Sequence, residues 1–306
     1  VDPRFLHYAT QSKAFQGVVH SEAVSSTIQN FNADRYANIP LRAPSTDEQR
    51  HIADFLDAET ARIDSLTAAY KRLKGLASER CQTVIDSTVA QHKEITPFRY
   101  LVRFREGPGI MAADFHDSGI PLIRISGLEQ GEVTTRGCNF LDPEKTTKQW
   151  SHFRLRLGDR IISGSATMGE VSVVRDPAVV GAIPYTGLII LRPARPGIEM
   201  EYVEAFLRSS HFSRQIDVLK TGATMQHFGP THLSQVRAPL PSGPDQRRVV
   251  TRAGEALSHA SRTAVLVDRQ LSLLTERRQA LITAAVTGQF DVTTASGRNV
   301  TDGVNP

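Results

Sequence analysis

Two long stretches of the chain carry apolar residues at alternating steps of three and four. In the first, from about Asp47 to Gln91, these positions are Ile52, Leu56, Ile63, Leu66, Tyr70, Leu73, Ala77 and Val84. In the second, from about Asp245 to Thr287, they are Val250, Ala253, Leu257, Ala260, Ala264, Val267, Leu271, Leu274 and Leu281. A narrow apolar seam over so many turns is typical of a coiled coil. The pattern predicts two helices, each roughly 60–67 Å long at 1.5 Å per residue.

The ends and charges of these stretches support the same interpretation. Ser45 with Glu48, and Ser242 with Asp245, have the spacing of a capping box, and Gly288 is a C-terminal stop signal. The first stretch has a net charge of −2 and the second of +3. Opposite charges favour pairing of the two helices with each other. The alternative is a pair of unrelated, solvated helices.

The segment between the helices, roughly 95–243, has a different pattern. It is rich in Gly, Pro and aromatic residues, and it contains short β-branched runs at 120–125, 159–162, 171–174 and 188–191. Such runs separated by turn residues predict a mixed α/β domain of short strands. The predicted fold class is therefore α+β, with one mixed domain and two long helices in a coiled coil.

The chain also repeats itself at an offset of 197 residues. Residues 5–89 align without a gap on residues 202–286, and 16 of the 85 pairs are identical, where average composition would give about 5 or 6. In each copy a short helical stretch, a loop and a brief extended segment precede the long helix. An equal globular domain in the first copy would begin about 100 residues before Val1, so the repeat predicts an N-terminally truncated two-fold repeat.

Composition excludes several classes of protein. The net charge of +4 and pI near 9.2 are too small for a polybasic protein, and 40% hydrophobic residues argue against disorder. The two cysteines, Cys81 and Cys138, allow no disulfide framework and cannot alone complete a four-ligand zinc site. No apolar run reaches the ~20 residues of a membrane span, and no signal peptide is present, which predicts a cytoplasmic chain.

Two segments partly match known catalytic motifs, but each lacks a residue or a spacing that the motif requires. Gly164 and Gly169 have the spacing of a phosphate-binding loop, but Glu170 stands where the lysine belongs. Asp142, Glu144 and Lys145 do not have the spacing of a nuclease carboxylate–lysine trio. The ten histidines are scattered. The sequence therefore predicts a protein without catalytic activity of its own.

The polar residues of the 95–243 segment suit nucleic-acid binding better. It holds 14 arginines and three lysines against 14 acidic residues. Arginine pairs bidentately with guanine, Gln or Asn with adenine, and Lys or Ser reaches phosphates. A solvated arginine-rich surface would look the same. The candidate DNA-binding residues are Arg124, Ser126, Arg136, Lys145, Lys148, Ser165, Thr167, Met168, Lys220, Thr224, Gln226 and His227.

Several segments, taken in order, resemble those of the specificity subunit of type I restriction–modification systems. Residues 41–57, with Thr60, Ile63, Asp64 and Leu66, are similar to the proline-rich start of that family's spacer helix. Residues 120–128 and 157–162 resemble its target-recognition domain. Residues 222–226, with Phe228, Pro239 and Pro241, resemble the segment that closes the family's target-recognition domain. The resemblance covers nearly all of the chain up to about Asp291.

This resemblance implies a function and a set of partners. The subunit would recognise half of a split site in double-stranded DNA and dock methyltransferase (modification) subunits through its helices, and restriction/translocase subunits could join. It would hold no cofactor, because S-adenosylmethionine, ATP and Mg would belong to partner subunits. It would be cytoplasmic and have no membrane partner.

The resemblance also implies that the two long helices form an antiparallel coiled coil. It divides the chain into five parts. They are the remnant of a first target-recognition domain (1–46), a central spacer helix (47–94), a second target-recognition domain (95–243), a C-terminal spacer helix (244–290) and a disordered tail (291–306). Three alternatives stay open at this point: a helical scaffold or adaptor whose globular domain binds protein, a fused nuclease or methyltransferase, and a half-size subunit that dimerises on a palindromic split site.

Overall fold

The computed structural model describes residues 1–22, 33–129, 131–164, 171–220 and 228–292, except for the side chains of Glu22 and Lys220. The chain divides into two compact units. The helical unit contains residues 1–77 together with the chain from Ser261 onward, and the globular unit contains residues 78–260. Each long helix contributes residues to both units. The five-part domain division therefore stays a prediction.

The described helices confirm the two long helices that the sequence predicts, at Thr46–Ala90 and Gly243–Thr287. In chain order the helices are α1 (Pro3–Gln11), α2 (Lys13–Glu22), α3 (Ala33–Ala37), α4 (Thr46–Ala90), α5 (Pro143–Lys145), α6 (Met200–Arg208), α7 (Ser210–Lys220), α8 (Pro230–Gln235) and α9 (Gly243–Thr287).

The strands all lie in the globular unit, as far as the structure describes the chain. They are β1 (Ile95–Pro97), β2 (Val102–Glu106), β3 (Ile120–Ile123), β4 (Leu128–Glu129), β5 (Glu132–Val133), β6 (Asn139–Leu141), β7 (Arg160–Ser163), β8 (Val171–Val173), β9 (Ile183–Pro184), β10 (Leu188–Pro193) and β11 (Arg237–Pro239). The four β-branched runs picked out in the sequence correspond to β3, β7, β8 and β10. The mixed α+β fold class is confirmed.

The strands form three sheets. The largest has the order β2-β10-β7-β8-β5-β4, a second has the order β6-β3-β9, and β1 pairs with β11. All described strand pairs are antiparallel except β3 with β9 and β5 with β8. Strand β10, which lies between β2 and β7, is buried on both faces, because Ile189 and Ile190 point into different apolar clusters.

The larger cluster joins the sheet to helices. Ile162, Ile189 and Leu191 lie in one apolar cluster with residues of α6 and α7 such as Tyr202 and Phe206. The end of α4, with Cys81, Ile85 and Val89, and the start of α9, with Val249 and Ala253, belong to the same cluster. Burial of these groups fixes the sheet against both long helices within the globular unit.

The helical unit has a smaller apolar core, which also joins a short helix to both long helices. Phe5, Tyr8 and Ala9 of α1 lie in a cluster with Ile52 and Leu56 from the start of α4. The end of α9 completes this cluster with Leu281, Ile282, Ala285 and Val286.

The interactions within each unit confirm the 197-residue repeat. Gln279 Nε2 donates to the Gln11 carbonyl at 2.7 Å in the helical unit, and Gln82 Nε2 donates to the Arg208 carbonyl at 3.1 Å in the globular unit. Ser12 and Ser209 each end a short helix by donating to the carbonyl three residues earlier. Each pair is related by the same offset of 197.

The helices pair antiparallel, and the predicted seam is only partly buried. Within the helical unit, Lys74 pairs with Asp268 at 2.7 Å and Arg278 pairs with Asp64, so sequence order runs in opposite directions. Ile63 and Val267 are buried in this seam. Leu66 and Leu73, which the heptad pattern places in the seam, are 49% and 47% exposed. Two helices bury only one narrow line of side chains, and these leucines lie beside it.

Candidate nucleic-acid interface

The described residues beside two of the segments singled out in the sequence meet at one point of the globular unit. The amide of Phe228 donates to the Gly164 carbonyl at 2.9 Å, and the amide of Gly164 donates to the Gly187 carbonyl at 2.8 Å. A Cβ atom on Gly164 would lie 2.1 Å from the Phe228 carbonyl oxygen, so only glycine permits this approach. The chain just before loop 165–170 and the chain just after loop 221–227 are therefore joined.

The six candidate residues in these loops, Ser165, Thr167, Met168, Thr224, Gln226 and His227, lie outside the described residues. Lys220 is the last residue of α7, and its side chain also lies outside the described part. Their roles stay predictions.

Arg124 is placed beside this junction. It follows β3, and its Nη1 donates to Asn139 Oδ1 at 2.9 Å, while its guanidinium lies 5.1 Å from the ring centroid of Tyr185. The Tyr185 amide donates to the Ile123 carbonyl, and its carbonyl accepts from the Leu188 amide at the start of β10. An arginine has five N–H donors, and one of them is used among the residues that the structure describes, so the others can serve a base edge or a phosphate.

Tyr185 is a member of this surface that sequence reasoning missed. It is half-buried and lies in the turn Pro184-Tyr185-Thr186-Gly187, two residues before the Gly187 carbonyl that binds Gly164. An aromatic ring beside a guanidinium provides a flat face against a base or sugar and holds the arginine in place. An aromatic residue in a Pro–Gly turn was the available signal.

The carboxylate of Glu106 supports the turn that carries Tyr185. Glu106 Oε1 accepts from the Gly187 amide at 2.9 Å. This bond, with the Gly107 amide donating to the Leu188 carbonyl, fixes the turn that carries Tyr185. The acidic group therefore shapes the surface rather than opposing an anion there.

Ser126 and Arg136 come together in a neighbouring turn. Ser126 Oγ donates to the Arg136 carbonyl at 3.3 Å, and Gly137 has a left-handed φ of 63° that lets the chain turn against Ser126. The Arg136 side chain is 74% exposed and pairs with Glu129. An exposed ion pair of this kind is weak enough to exchange for a phosphate.

The two candidate lysines lie on and just after α5. Lys145 pairs with Asp114 and lies 5.6 Å from the Trp150 ring, whereas the exposed Lys148 lies 3.7 Å from Glu144. Asp114 precedes Phe115, whose ring centroid is 6.4 Å from that of Tyr185. Lys145 is thus connected to the surface around Arg124.

The described residues do not bring together a metal site or an activated nucleophile. They contain no group of three His, Cys, Asp or Glu side chains that could hold a metal ion. Burial raises the pKa of the Cys138 thiol, which lowers the share of reactive thiolate. No described helix is both long enough and apolar enough to cross a membrane.

Sequence comparison finds relatives for the chain. No protein-family model matches it. The specificity subunit of the type I restriction enzyme EcoKI from Escherichia coli (strain K12) is 21% identical over 307 residues, which cover 94% of this chain and 65% of that protein. The other curated relatives found have the same description. This chain is a homologue of type I specificity subunits.

Solved structures of type I systems have the same fold as this specificity-subunit homologue. A structure described as "Structural basis underlying complex assembly and conformational transition of the type I R-M system" matches with a TM-score of 0.78 at 16% identity, covering 95% of this chain and 72% of the other. The crystal structure of the HsdS subunit from Thermoanaerobacter tengcongensis matches with a TM-score of 0.59 at 17% identity, covering 95% and 71%. The chain spans just under two thirds of the length of the Escherichia coli K12 relative.

Proposed function

We propose that this chain is the DNA-recognition subunit of a type I restriction–modification complex. Its globular unit reads one half of a split site in double-stranded DNA, and its long helices dock methyltransferase subunits. It is itself non-catalytic and acts in the cytoplasm. S-adenosylmethionine, ATP and Mg belong to the partner subunits.

The observation that carries DNA recognition is the junction of Gly164 with Phe228 beside Arg124. In sequence, two segments rich in hydrogen-bonding residue types, 165–170 and 221–227, begin or end there. The half-buried guanidinium of Arg124 lies at its edge, and within the described residues it uses one of its donors. Loops anchored on a rigid sheet can present different side chains to a major groove while the fold is unchanged. The homology to specificity subunits supports this assignment over a scaffold that binds only protein.

Five exposed leucines on the two long helices of the helical unit support the docking role. We call them the leucine row, and they are Leu66, Leu73 and Leu76 of α4 with Leu266 and Leu273 of α9, with exposed fractions from 47% to 64%. A contiguous patch of exposed large apolar side chains marks an interaction surface. Helices of a partner subunit would bury them as a bundle does.

The test of the proposed function is co-expression with a type I modification subunit, followed by mapping of methylated bases in the host DNA. A split motif is the expected result. The variant Arg124→Ala should relax or lose one half of the motif, since a bidentate base contact is worth about 1–3 kcal/mol of discrimination. Arg175→Ala is the matched control, because Arg175 is an exposed arginine of the same unit that pairs with Glu132 at 3.4 Å.

Docking is tested separately by co-purification. Leu266→Asp should abolish association with the modification subunit, because a carboxylate would be buried without a partner. Val218→Asp is the control, since Val218 is 74% exposed on α7 of the globular unit. Association with other proteins but no sequence preference in methylation would favour the scaffold alternative.

A further inference from the structure

A second basic site lies at the other end of β10 from Tyr185. There the globular unit has a pocket of about 340 Å³. We call it the arginine pocket, and its lining includes Arg99, Arg103, Arg195, Tyr100, Thr96 and Leu240. None of these residues is among the candidates picked out in the sequence.

Strand pairing brings the three arginines together from separate parts of the chain. Strand β2 pairs with β10 so that Arg103 lies opposite Arg192. Just beyond β10 the amide of Ala194 donates to the Leu101 carbonyl at 2.9 Å, which draws Arg195 alongside the 3-10 turn Phe98–Tyr100 that carries Arg99. The backbone therefore fixes the positions from which these side chains extend.

The pocket is formed by arginine-rich segments, each with one acidic residue directly beside it in sequence, namely Glu94, Glu199 or Asp245. Glu199 pairs with Arg247 and Asp245 with Arg248. The three segments that form it, 95–103, 192–198 and 236–244, contain five arginines and no Asp, Glu or Lys. Arg192 is neutralised by Asp159 at 2.6 Å. Across the described ranges, Arg99, Arg103 and Arg195 have no ion-pair partner. Three unpaired positive charges around one concavity favour binding of an anion.

The residue types indicate which anion. A guanidinium presents a planar fork that matches two oxygens of a phosphate, whereas lysine acts as a point charge. Leu240 and Ala194 add apolar surface, and Thr96 adds a hydroxyl. A pocket of about 340 Å³ holds more than a phosphate group, so it also admits the sugar carbons on either side of a phosphodiester.

A further arginine extends the basic surface of the pocket along β2. Arg103 and Arg105 are two residues apart on the edge strand β2, so their side chains leave the same face. Arg105 donates to the His152 carbonyl at 2.7 Å and lies 5.6 Å from the Phe153 ring, again without a carboxylate partner in the described chain. Strand β10 spans roughly 20 Å between the two sites, the rise of about six base pairs.

We propose that the arginine pocket binds a backbone phosphate of the DNA about six base pairs from the bases that the loops beside Arg124 read. This proposal rests on the proposed function. The pocket supplies affinity and register without sequence choice, because a phosphate is the same at every position. A free phosphorylated small molecule would offer the same chemistry, and the test distinguishes the two sources.

The experiment measures DNA binding by the full chain with Arg99, Arg103 and Arg195 all changed to Gln. Fluorescence anisotropy is recorded over a series of KCl concentrations, for a duplex that contains the methylated motif and for an unrelated duplex. We expect both affinities to fall by roughly tenfold or more, because charge-assisted hydrogen bonds are lost. The slope of log K against log salt should fall by about 0.9 for each phosphate contact removed.

The matched control removes the same charge elsewhere in the globular unit. In Arg175→Gln/Arg214→Gln/Arg248→Gln each arginine is exposed and already bound to a neighbour, which is Glu132, Ser210 or Asp245. This control should retain most of the affinity and slope. An equal loss in both triple variants would reduce the effect to net charge and overturn the proposal.

Two further outcomes would overturn it. One is a triple variant that binds both duplexes as the parent chain does. The other is a variant that loses binding of inorganic pyrophosphate, measured by calorimetry, while its affinity for DNA is unchanged, which would assign the pocket to a free phosphorylated ligand. A parent chain without sequence preference, but with the predicted change of slope, would count against the proposed function and not against the pocket.

Discussion

Gln49 and Gln246 make the same two hydrogen bonds at the starts of the two long helices. The side-chain amide of Gln49 donates to the Pro44 carbonyl at 2.8 Å and its oxygen accepts from the Asp2 amide at 2.8 Å. Gln246 donates to the Pro241 carbonyl at 3.0 Å and accepts from the Glu199 amide at 2.9 Å. Both glutamines are buried, at 4% and 3% exposed. Each one ties the start of a long helix to the start of a short helix before it.

We expect Gln49→Ala and Gln246→Ala to destabilise the protein by similar amounts, about 2–4 kcal/mol each. Each change leaves a carbonyl and an amide without a partner in a buried place, and each such group costs about 1–3 kcal/mol. Chemical denaturation followed by circular dichroism measures the loss. Gln235→Ala is the control, because the exposed Gln235 amide makes one long bond of 3.4 Å and its loss should stay within about 0.5 kcal/mol. If Gln49→Ala and Gln246→Ala lose no more stability than the control, the repeated hydrogen bonds do not stabilise the fold.

Gly164→Ala should weaken DNA binding more than it weakens the fold. The new Cβ would meet the Phe228 carbonyl, so the anchors of loops 165–170 and 221–227 must separate. Gly109→Ala is the matched control, since a Cβ there meets nothing within 4 Å. Anisotropy with the motif duplex should show roughly tenfold or greater weakening for Gly164→Ala alone, the size of one lost base contact. Equal affinities for the two variants would mean that this junction does not position the reading surface.

Asp159→Asn should destabilise the globular unit by about 3 kcal/mol, because it leaves Arg192 as a poorly compensated charge. The Asp159 side chain is 5% exposed, and its two oxygens accept from Arg192 Nε at 2.7 Å and Nη2 at 2.6 Å. Hydrogen bonding to Asp159 raises the pKa of Arg192, which therefore stays charged. The denaturation midpoint measures the loss. Glu132→Gln breaks the exposed pair with Arg175 and should change stability by no more than about 0.5 kcal/mol.

The contribution of Asp57 to the unfolding free energy should decrease as the pH falls. Hydrogen bonds from Tyr8 Oη and Arg4 Nη1, both 2.7 Å long, lower the pKa of Asp57 below its ordinary value of 3.8. A lowered folded-state pKa gives stability that is fully present above the ordinary value and is lost as the pH falls through the folded pKa. The difference in unfolding free energy between the parent chain and Asp57→Asn should therefore be constant from about pH 5 to 7 and shrink below about pH 3.8. A difference that grows as the pH falls would contradict the assignment.

Much of the architecture could be predicted because it depends on periodic patterns. Both long helices begin and end within a few residues of the predicted bounds, and β-branched runs such as 188–191 became central strands. The burial of Leu66 and Leu73 was predicted wrongly, because heptad spacing shows which side chains share a face and not how many partner helices cover it.

The site was harder to predict because it depends on contacts between distant residues. Arg124, Tyr185 and Gly164 come from three different sheet connections, and no local pattern shows that they meet. The arginine pocket is similar, since Arg99 and Arg195 are brought together by the pairing of β2 with β10. The absence of acidic residues from the three segments around it was a usable signal, but it becomes informative only after the segments are known to adjoin.

The core of the helical unit has a consequence for the order of folding during synthesis. Phe5 and Tyr8 are covered by Leu281 and Val286, which are nearly the full described chain away. At a synthesis rate of about 5–20 residues per second, the interval between these two segments is on the order of tens of seconds. The globular unit can fold once residues 78–260 have been synthesised, whereas the core of the helical unit can form only after residues 281–286 have been synthesised. During that interval the apolar face of α1 is exposed to solvent. We therefore expect a chaperone to bind residues 5–9 of the nascent chain, and we expect chains whose synthesis stalls to aggregate through this face.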